Sequence, residues 1–186
     1  KNSNSSINNM IKKYKLKLNI TLSIFLGLVV LVYALWPGLT TKAAFTSPIT
    51  ISTAGTFSSH PSIDVDGNGV IHAVWAEEDA TGNREIIYEN STDDGVSFPD
   101  ANRKNLSSSS YTSTSPWLKV DANNIIHIVW EEYDSTGNAD IYYATSSNSG
   151  ATFSTAKNLS NNATQSVSPY VETAGADNVY VGWIDE

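Results

Sequence analysis

The 186-residue chain contains no cysteine, one methionine and only two arginines, Arg84 and Arg103, and no acidic residue precedes Asp64. Without cysteine there can be no disulfide framework, thiolate nucleophile or zinc-thiolate site. The charge is strongly segregated. All 19 Asp and Glu lie from Asp64 onward, where only five basic residues accompany them, so this part carries a net charge of −14. A surface that acidic repels phosphate backbones, and nucleic acid is excluded as a partner. What remains is ordinary for a folded chain: 40% hydrophobic residues and 10% aromatics, enough for one globular domain.

The N-terminal segment has a different character. Residues 1–19 are a basic flank holding Lys12, Lys13, Lys15 and Lys17, and residues 20–36, from Ile20 to Trp36, are almost continuously apolar. Pro37-Gly38 then ends any helix and opens a linker over 37–48. Positive charge before an apolar run is the layout of a signal peptide or a membrane-anchor helix. The run is at the short limit for spanning about 30 Å of hydrocarbon and long for a signal peptide. Thr41 and Ala43 offer small residues for cleavage after Ala43, with Lys42 between them a poor neighbour. Both readings stand, and both place the rest of the chain outside the cytoplasm: secreted, or held at the cell surface through the membrane.

Self-comparison is the most informative operation on this sequence, because a fixed period announces a stacked architecture. Pro61, His72, Trp75, Tyr88, Gly95 and Phe98 return 55 residues later as Pro116, His127, Trp130, Tyr143, Gly150 and Phe153. Pro169, Tyr180 and Trp183 follow 53 residues after the second copies, and Asn105-Leu106-Ser107 returns as Asn158-Leu159-Ser160 at the same spacing. The units run over 49–104, 105–157 and, incompletely, 158–186. Each reads as short strands and turns: Ser62–Val65, an Asp66-Gly67-Asn68-Gly69 turn, Val70–Trp75, a polar loop, Glu85–Tyr88 and a fourth short strand near Asn-Leu-Ser. Four antiparallel strands in such a unit have the size of a β-propeller blade. The expectation is an all-β partial propeller of about two and a half four-stranded blades, preceded by the N-terminal hydrophobic helix. Two and a half blades cannot close a ring, so a longer chain or association between copies is expected.

Ser91-Thr92-Asp93-Asp94-Gly95-Val96-Ser97-Phe98 has the form S-x-D-x-G-x-[ST]-[FW] and resembles the Asp-box of sialidase-like β-propellers, also called the BNR repeat. Its second copy keeps Ser146, Gly150, Thr152 and Phe153 but has Asn148 in place of the Asp. The resemblance covers about residues 50–186. It implies a structural role for Ser91, Asp93, Gly95, Phe98, Ser146, Asn148, Gly150 and Phe153, at blade corners away from the central pocket. Sialidases hold the substrate carboxylate in a three-arginine clamp and use a Tyr/Glu pair and an acid/base Asp. Two arginines cannot make that clamp, and Ser59-His60-Pro61 stands where an Arg-Ile-Pro signature would be. The expectation is therefore a non-catalytic binding or interaction scaffold for an extracellular glycan or protein. The alternative is an exo-sialidase-type hydrolase whose catalytic residues lie in blades absent from this sequence.

Other constellations have plainer readings. His72 and His127 are replaced by Tyr180 in the third copy, as a packing position would allow, and Trp75, Trp130 and Trp183 read as core. Arg84 reads as a solvated loop charge. Glu77, Glu132 and Asp185 each follow a repeated Trp by two positions, so they could converge as a rim of carboxylates binding a cation or polyol, or simply mark strand exits to solvent. The run Asp64–Gly69 fails as a calcium loop, because the twelfth position falls on Trp75 and the second unit has Lys119 in place of Asp64. No cofactor or metal signature is present. Glycosylation sequons occur at Asn90, Asn105, Asn158 and Asn162.

Overall fold

The first hairpin in each of the two complete units is built around an aspartate that caps its own turn. Asp66 Oδ1 accepts hydrogen bonds from the backbone N–H of Asn68 and Val70 at 2.8 and 2.9 Å, and Asp121 Oδ1 accepts from Asn123 and Ile125, both at 2.8 Å. The left-handed residue that closes the turn is Gly69 in one copy (φ 83°) and Asn124 in the other (φ 62°), the two residue types that best tolerate that region. A computed structural model describes residues 47–186 of the chain. The expected signal or anchor helix over 20–36, its basic flank and nearly all of the 37–48 linker lie outside the described residues. Among the described residues no helix is long and apolar enough to cross a membrane.

The fold is all-β. The first sheet has the order β1 (Ser58–Val65), β2 (Ile71–Glu78), β3 (Arg84–Ser91), β4 (Lys104–Asn105), every pair antiparallel. The second repeats it with β5 (Ser113–Val120), β6 (Ile126–Tyr133), β7 (Ala139–Ser146) and β8 (Lys157–Asn158). A third, two-stranded sheet pairs β9 (Ser166–Ala174) with β10 (Asn178–Asp185). One short 3-10 turn, Asp100–Asn102, is the single helical element among the described residues. The strands are longer than the sequence indicates: β1 starts at Ser58 rather than Ser62, because pairing resumes on the far side of a bulge.

That bulge explains the repeated Pro and Trp together. Between Ser59 and Ser62, His60-Pro61 faces the single residue Trp75; Ser115-Pro116 likewise faces Trp130, and Ser168-Pro169 faces Trp183. Proline has no N–H to give to a ladder, and a bulge is where a strand can carry it.

The sheets stack face to face. Val74, Ala76, Ile86 and Tyr88 of the first sheet pack against Leu118, Val120, Ile126, Ile128 and Trp130 of the second, with Leu106 and Phe153 alongside. The opposite face of the second sheet presents Val129 and Ile141 to Val171, Val181 and Trp183. Side chains alternate faces along a strand, so β6 reads as a continuous apolar run because both its faces are covered. Fully burying each such side chain stabilises by about 1.5–3 kcal/mol. Trp75 faces away from the second sheet and is covered by Ile51 and Phe98.

Candidate functional site

The three bulges lie side by side and form one wall. His60, Ser115 and Ser168 occupy equivalent positions, each before a proline, and each has a left-handed backbone (φ 52°, 52° and 55°). The residue before proline normally prefers an extended conformation, so this geometry costs about 1–3 kcal/mol per site and persists only where surrounding structure enforces it. The first strands of all three sheets thereby open onto a cleft of 520 Å³ lined by His60-Pro61, Ser115-Pro116-Trp117 and Ser168-Pro169-Tyr170.

Trp117 and Tyr170 are also repeat equivalents, 53 residues apart, with Ser62 at the same place in the first copy. Unlike the buried core aromatics they are 42% and 44% exposed. Their ring centroids lie 5.0 Å apart at 54°, forming an open corner instead of a flat platform. The Tyr170 hydroxyl donates to Glu172 Oε2 at 2.7 Å, and that hydrogen bond holds the phenol in its protonated form by raising its pKa. Lys119 Nζ sits between Asp64 (3.5 Å) and Glu172 (3.6 Å), so two carboxylates and one ammonium stand next to Tyr170, just outside the residues that line the cleft. The first sheet leans on the second through polar side chains: Ser62 Oγ and Asp64 Oδ2 accept from the free-edge N–H groups of Leu118 and Val120 at 3.1 and 3.0 Å.

The Ser-x-Asp turn forms a closed local network. Ser91 Oγ donates to Asp93 Oδ1 (2.7 Å) and accepts from Gly95 N–H (3.0 Å), while Asp93 accepts from the Ser97 N–H (2.9 Å) and hydroxyl (2.7 Å). The Ser91 and Ser97 hydrogen bonds hold the Asp93 carboxyl at a pKa of about 2. In the second copy Ser146 binds Asn148 Oδ1 (2.9 Å) and Gly150 N–H (3.0 Å), and Thr152 N–H donates to Asn148 Oδ1 (3.0 Å). Asn148 Nδ2 donates to Thr152 Oγ1 at 2.8 Å, reversing one hydrogen bond and keeping the shape. Phe98 and Phe153 pack onto the neighbouring cores.

Glu77, Glu132 and Asp185 are each engaged in the same clasp. The indole N–H of the Trp two residues earlier donates to the acid at 2.9, 2.8 and 2.9 Å, and the cross-strand Ser58, Ser113 or Ser166 hydroxyl donates at 3.4, 2.8 and 2.7 Å. The clasp ties Trp and acid to the neighbouring strand. Only Glu77 adds a cation: Arg103 bridges it to the buried Glu89 (3.1 Å) and lies over the Trp75 ring at 5.3 Å. Burial works to raise the Glu77 pKa, but hydrogen bonds from Trp75 and Thr53 and the Arg103 charge outweigh it and the net shift is downward. For Glu89 burial prevails over Arg103, and its pKa is raised.

His72 is fully buried, its Nδ1 2.7 Å from the Tyr88 hydroxyl and its Nε2 3.6 Å from Asp66; His127, Tyr143 and Asp121 repeat the chain at 2.8 and 3.5 Å. Arg84 opens β3, 3.6 Å from Glu78, and stacks over Phe57. Asn-Leu-Ser recurs because Ser107 and Ser160 accept from the N–H of Ile86 and Ile141 and donate to Glu85 and Asp140. Of the sequon residues, Asn90, Asn158 and Asn162 use their amide nitrogens within the fold, and Asn105 is exposed. Among the described residues no group of three or more His, Asp or Glu side chains is arranged to hold a metal ion.

Sequence reasoning missed the cleft. The repeated Pro was visible as a marker, and the Trp117/Tyr170 equivalence could have been read at the 53-residue offset, but the left-handed turn before each Pro has no sequence signature. No protein-family model matches the chain, and a search of curated proteins returns no match.

Proposed function

We propose that the chain is part of a sialidase-like β-propeller, extracytoplasmic and non-catalytic, that binds an extracellular ligand in the cleft where the first strands of its blades meet. The observation that carries this reading is the convergence of three equivalent strained bulges on a single cleft holding two exposed aromatic rings. Strain enforced three times over, at a surface that exposes Trp and Tyr, marks a binding surface more than a core. The propeller assignment is supported by repeated four-stranded sheets stacked face to face and by the closed Ser-x-Asp/Asn turn after the third strand. The extracytoplasmic assignment rests on the lysine-flanked apolar run over 20–36.

The chain's two arginines argue against sialidase chemistry by these residues. Arg84 pairs with Glu78 and Arg103 with Glu77 and Glu89, and neither lines the cleft. The test is a screen of the purified full chain, beside its Trp117→Ala variant, on arrays of extracellular glycans and peptides, with a fluorogenic sialoside assayed in parallel. Ligands bound by the native chain and lost in the variant are expected, without turnover. Turnover of the sialoside would replace the scaffold with the hydrolase, and binding indifferent to Trp117 would move the site elsewhere.

A further inference from the structure

Resting on the reading of the cleft as a binding site, we infer that its ligand is a small organic cation carrying an alkylammonium group. Three observations converge on that chemistry. The first is the aromatic corner. Trp117 and Tyr170 meet at 54° with centroids 5.0 Å apart and both line the cleft, so a cation entering it meets aromatic surface. The second is the hydrogen bond from the Tyr170 hydroxyl to Glu172, which pushes electron density into the ring and strengthens its attraction for positive charge. The third is charge. Asp64 and Glu172 outnumber Lys119 in the charged group beside Tyr170, and the chain from Asp64 onward carries −14. Field of that sign concentrates cations at a cleft and repels anions.

The polar groups of the cleft fit the same conclusion. The Ser168 N–H, which a neutral ligand could have used, is already taken by Glu131 Oε1 at 2.8 Å. A quaternary or primary ammonium needs only faces and field.

Calorimetric titration of the full chain with choline and with its uncharged carbon isostere, dimethylbutanol, tests this. Choline is expected to bind at least about tenfold more tightly than the isostere, and Trp117→Ala or Tyr170→Ala to weaken choline by at least about fivefold. Tyr170→Phe keeps the ring and loses the bond to Glu172; it is expected to weaken choline by a smaller factor and serves where an alanine variant does not fold. Equal binding of choline and isostere, or choline binding untouched by both Trp117→Ala and Tyr170→Phe, overturns the inference. If neither probe binds while the arrays still reveal a Trp117-dependent ligand, the cation assignment falls and the cleft stands. If the arrays are blank too, both fall.

Discussion

The hydroxyl of Tyr88, on the first sheet, occupies the space that a Cβ on Gly150, in the second, would need. Gly150 therefore serves two purposes: its backbone is left-handed (φ 82°), and its missing side chain lets the second unit's turn close over the first unit's core. Phe153 completes the contact, its ring edge-on to Tyr88 at 4.8 Å.

This relationship separates two glycines that look alike in sequence. Gly137 has the same φ of 82° but open space around it. Gly137→Ala is expected to lose about 1–2 kcal/mol of stability from backbone strain. Gly150→Ala should lose about 2–5 kcal/mol, because about 1–3 kcal/mol of overpacking adds to the strain. Urea unfolding of the full-chain variants measures both.

The Trp–acid clasps should differ in strength although their motif is the same. Glu132→Ala removes the acceptor of Trp130 and Ser113 and is expected to cost about 1–2 kcal/mol. Glu77→Ala also takes one carboxylate from Arg103, which keeps Glu89 and some solvent, so a loss of about 2–3 kcal/mol is expected. Equal losses in a paired denaturation experiment would mean that the Arg103 bridge contributes nothing.

Acid should weaken the fold before ordinary carboxylates titrate. Burial lowers the pKa of His72 despite the nearby Asp66 and Asp64 charges, so the folded state keeps it neutral while the unfolded chain takes up a proton below about pH 6.5. The stability it contributes is complete above that pH and is lost as pH falls toward the folded value. Asp66 acts in the same direction lower down: burial opposes ionisation, but N–H groups of Val70 and Asn68 and His72 win, so its contribution fades as pH falls below 3.8. Glu89, raised by burial, works oppositely and gains stability as it protonates. Unfolding free energies from urea titrations are expected to fall between pH 7 and 5, by at most about 1.4 kcal/mol per pH unit for one proton, and His72→Gln should flatten that limb.

The second Ser-x-Asn turn should accept the acid that the first one has. In Asn148→Asp the carboxylate would accept from Thr152 as Asp93 accepts from Ser97, so a melting curve close to the native one is expected. Asp93→Ala removes the acceptor for Ser91 and Ser97 and should melt earlier than Asp93→Asn. If Asp93→Asn melted as early as Asp93→Ala, the two turns would not be interchangeable.

The period of Pro, His, Trp, Tyr, Gly and Phe carried the strand order of each sheet, because residues repeated at one spacing must serve one local geometry. Turn chemistry was legible too: Asp66 and Asp121 bond N–H groups two and four residues on, and Gly69 and Asn124 supply the left-handed backbone of the same turns. Local sequence thus determined the hairpins, the capped turns and the alternation that buries both faces of β6.

The cleft was decided elsewhere. Proline announces where a strand cannot pair, but the left-handed turn of His60, Ser115 and Ser168 runs against the preference of a residue before proline and is held only by the sheets around it. Trp75 and Trp117 are both tryptophans on strands. Trp75 is buried at 4% exposure beneath Ile51 and Phe98, and Trp117 stands open at 42% beside Tyr170, since only the stacking of sheets determines which faces are covered. The clasp of Glu77 has the same origin. Its Trp partner is two residues away, while the arginine that distinguishes it from Glu132 and Asp185 arrives from 26 residues further along the chain.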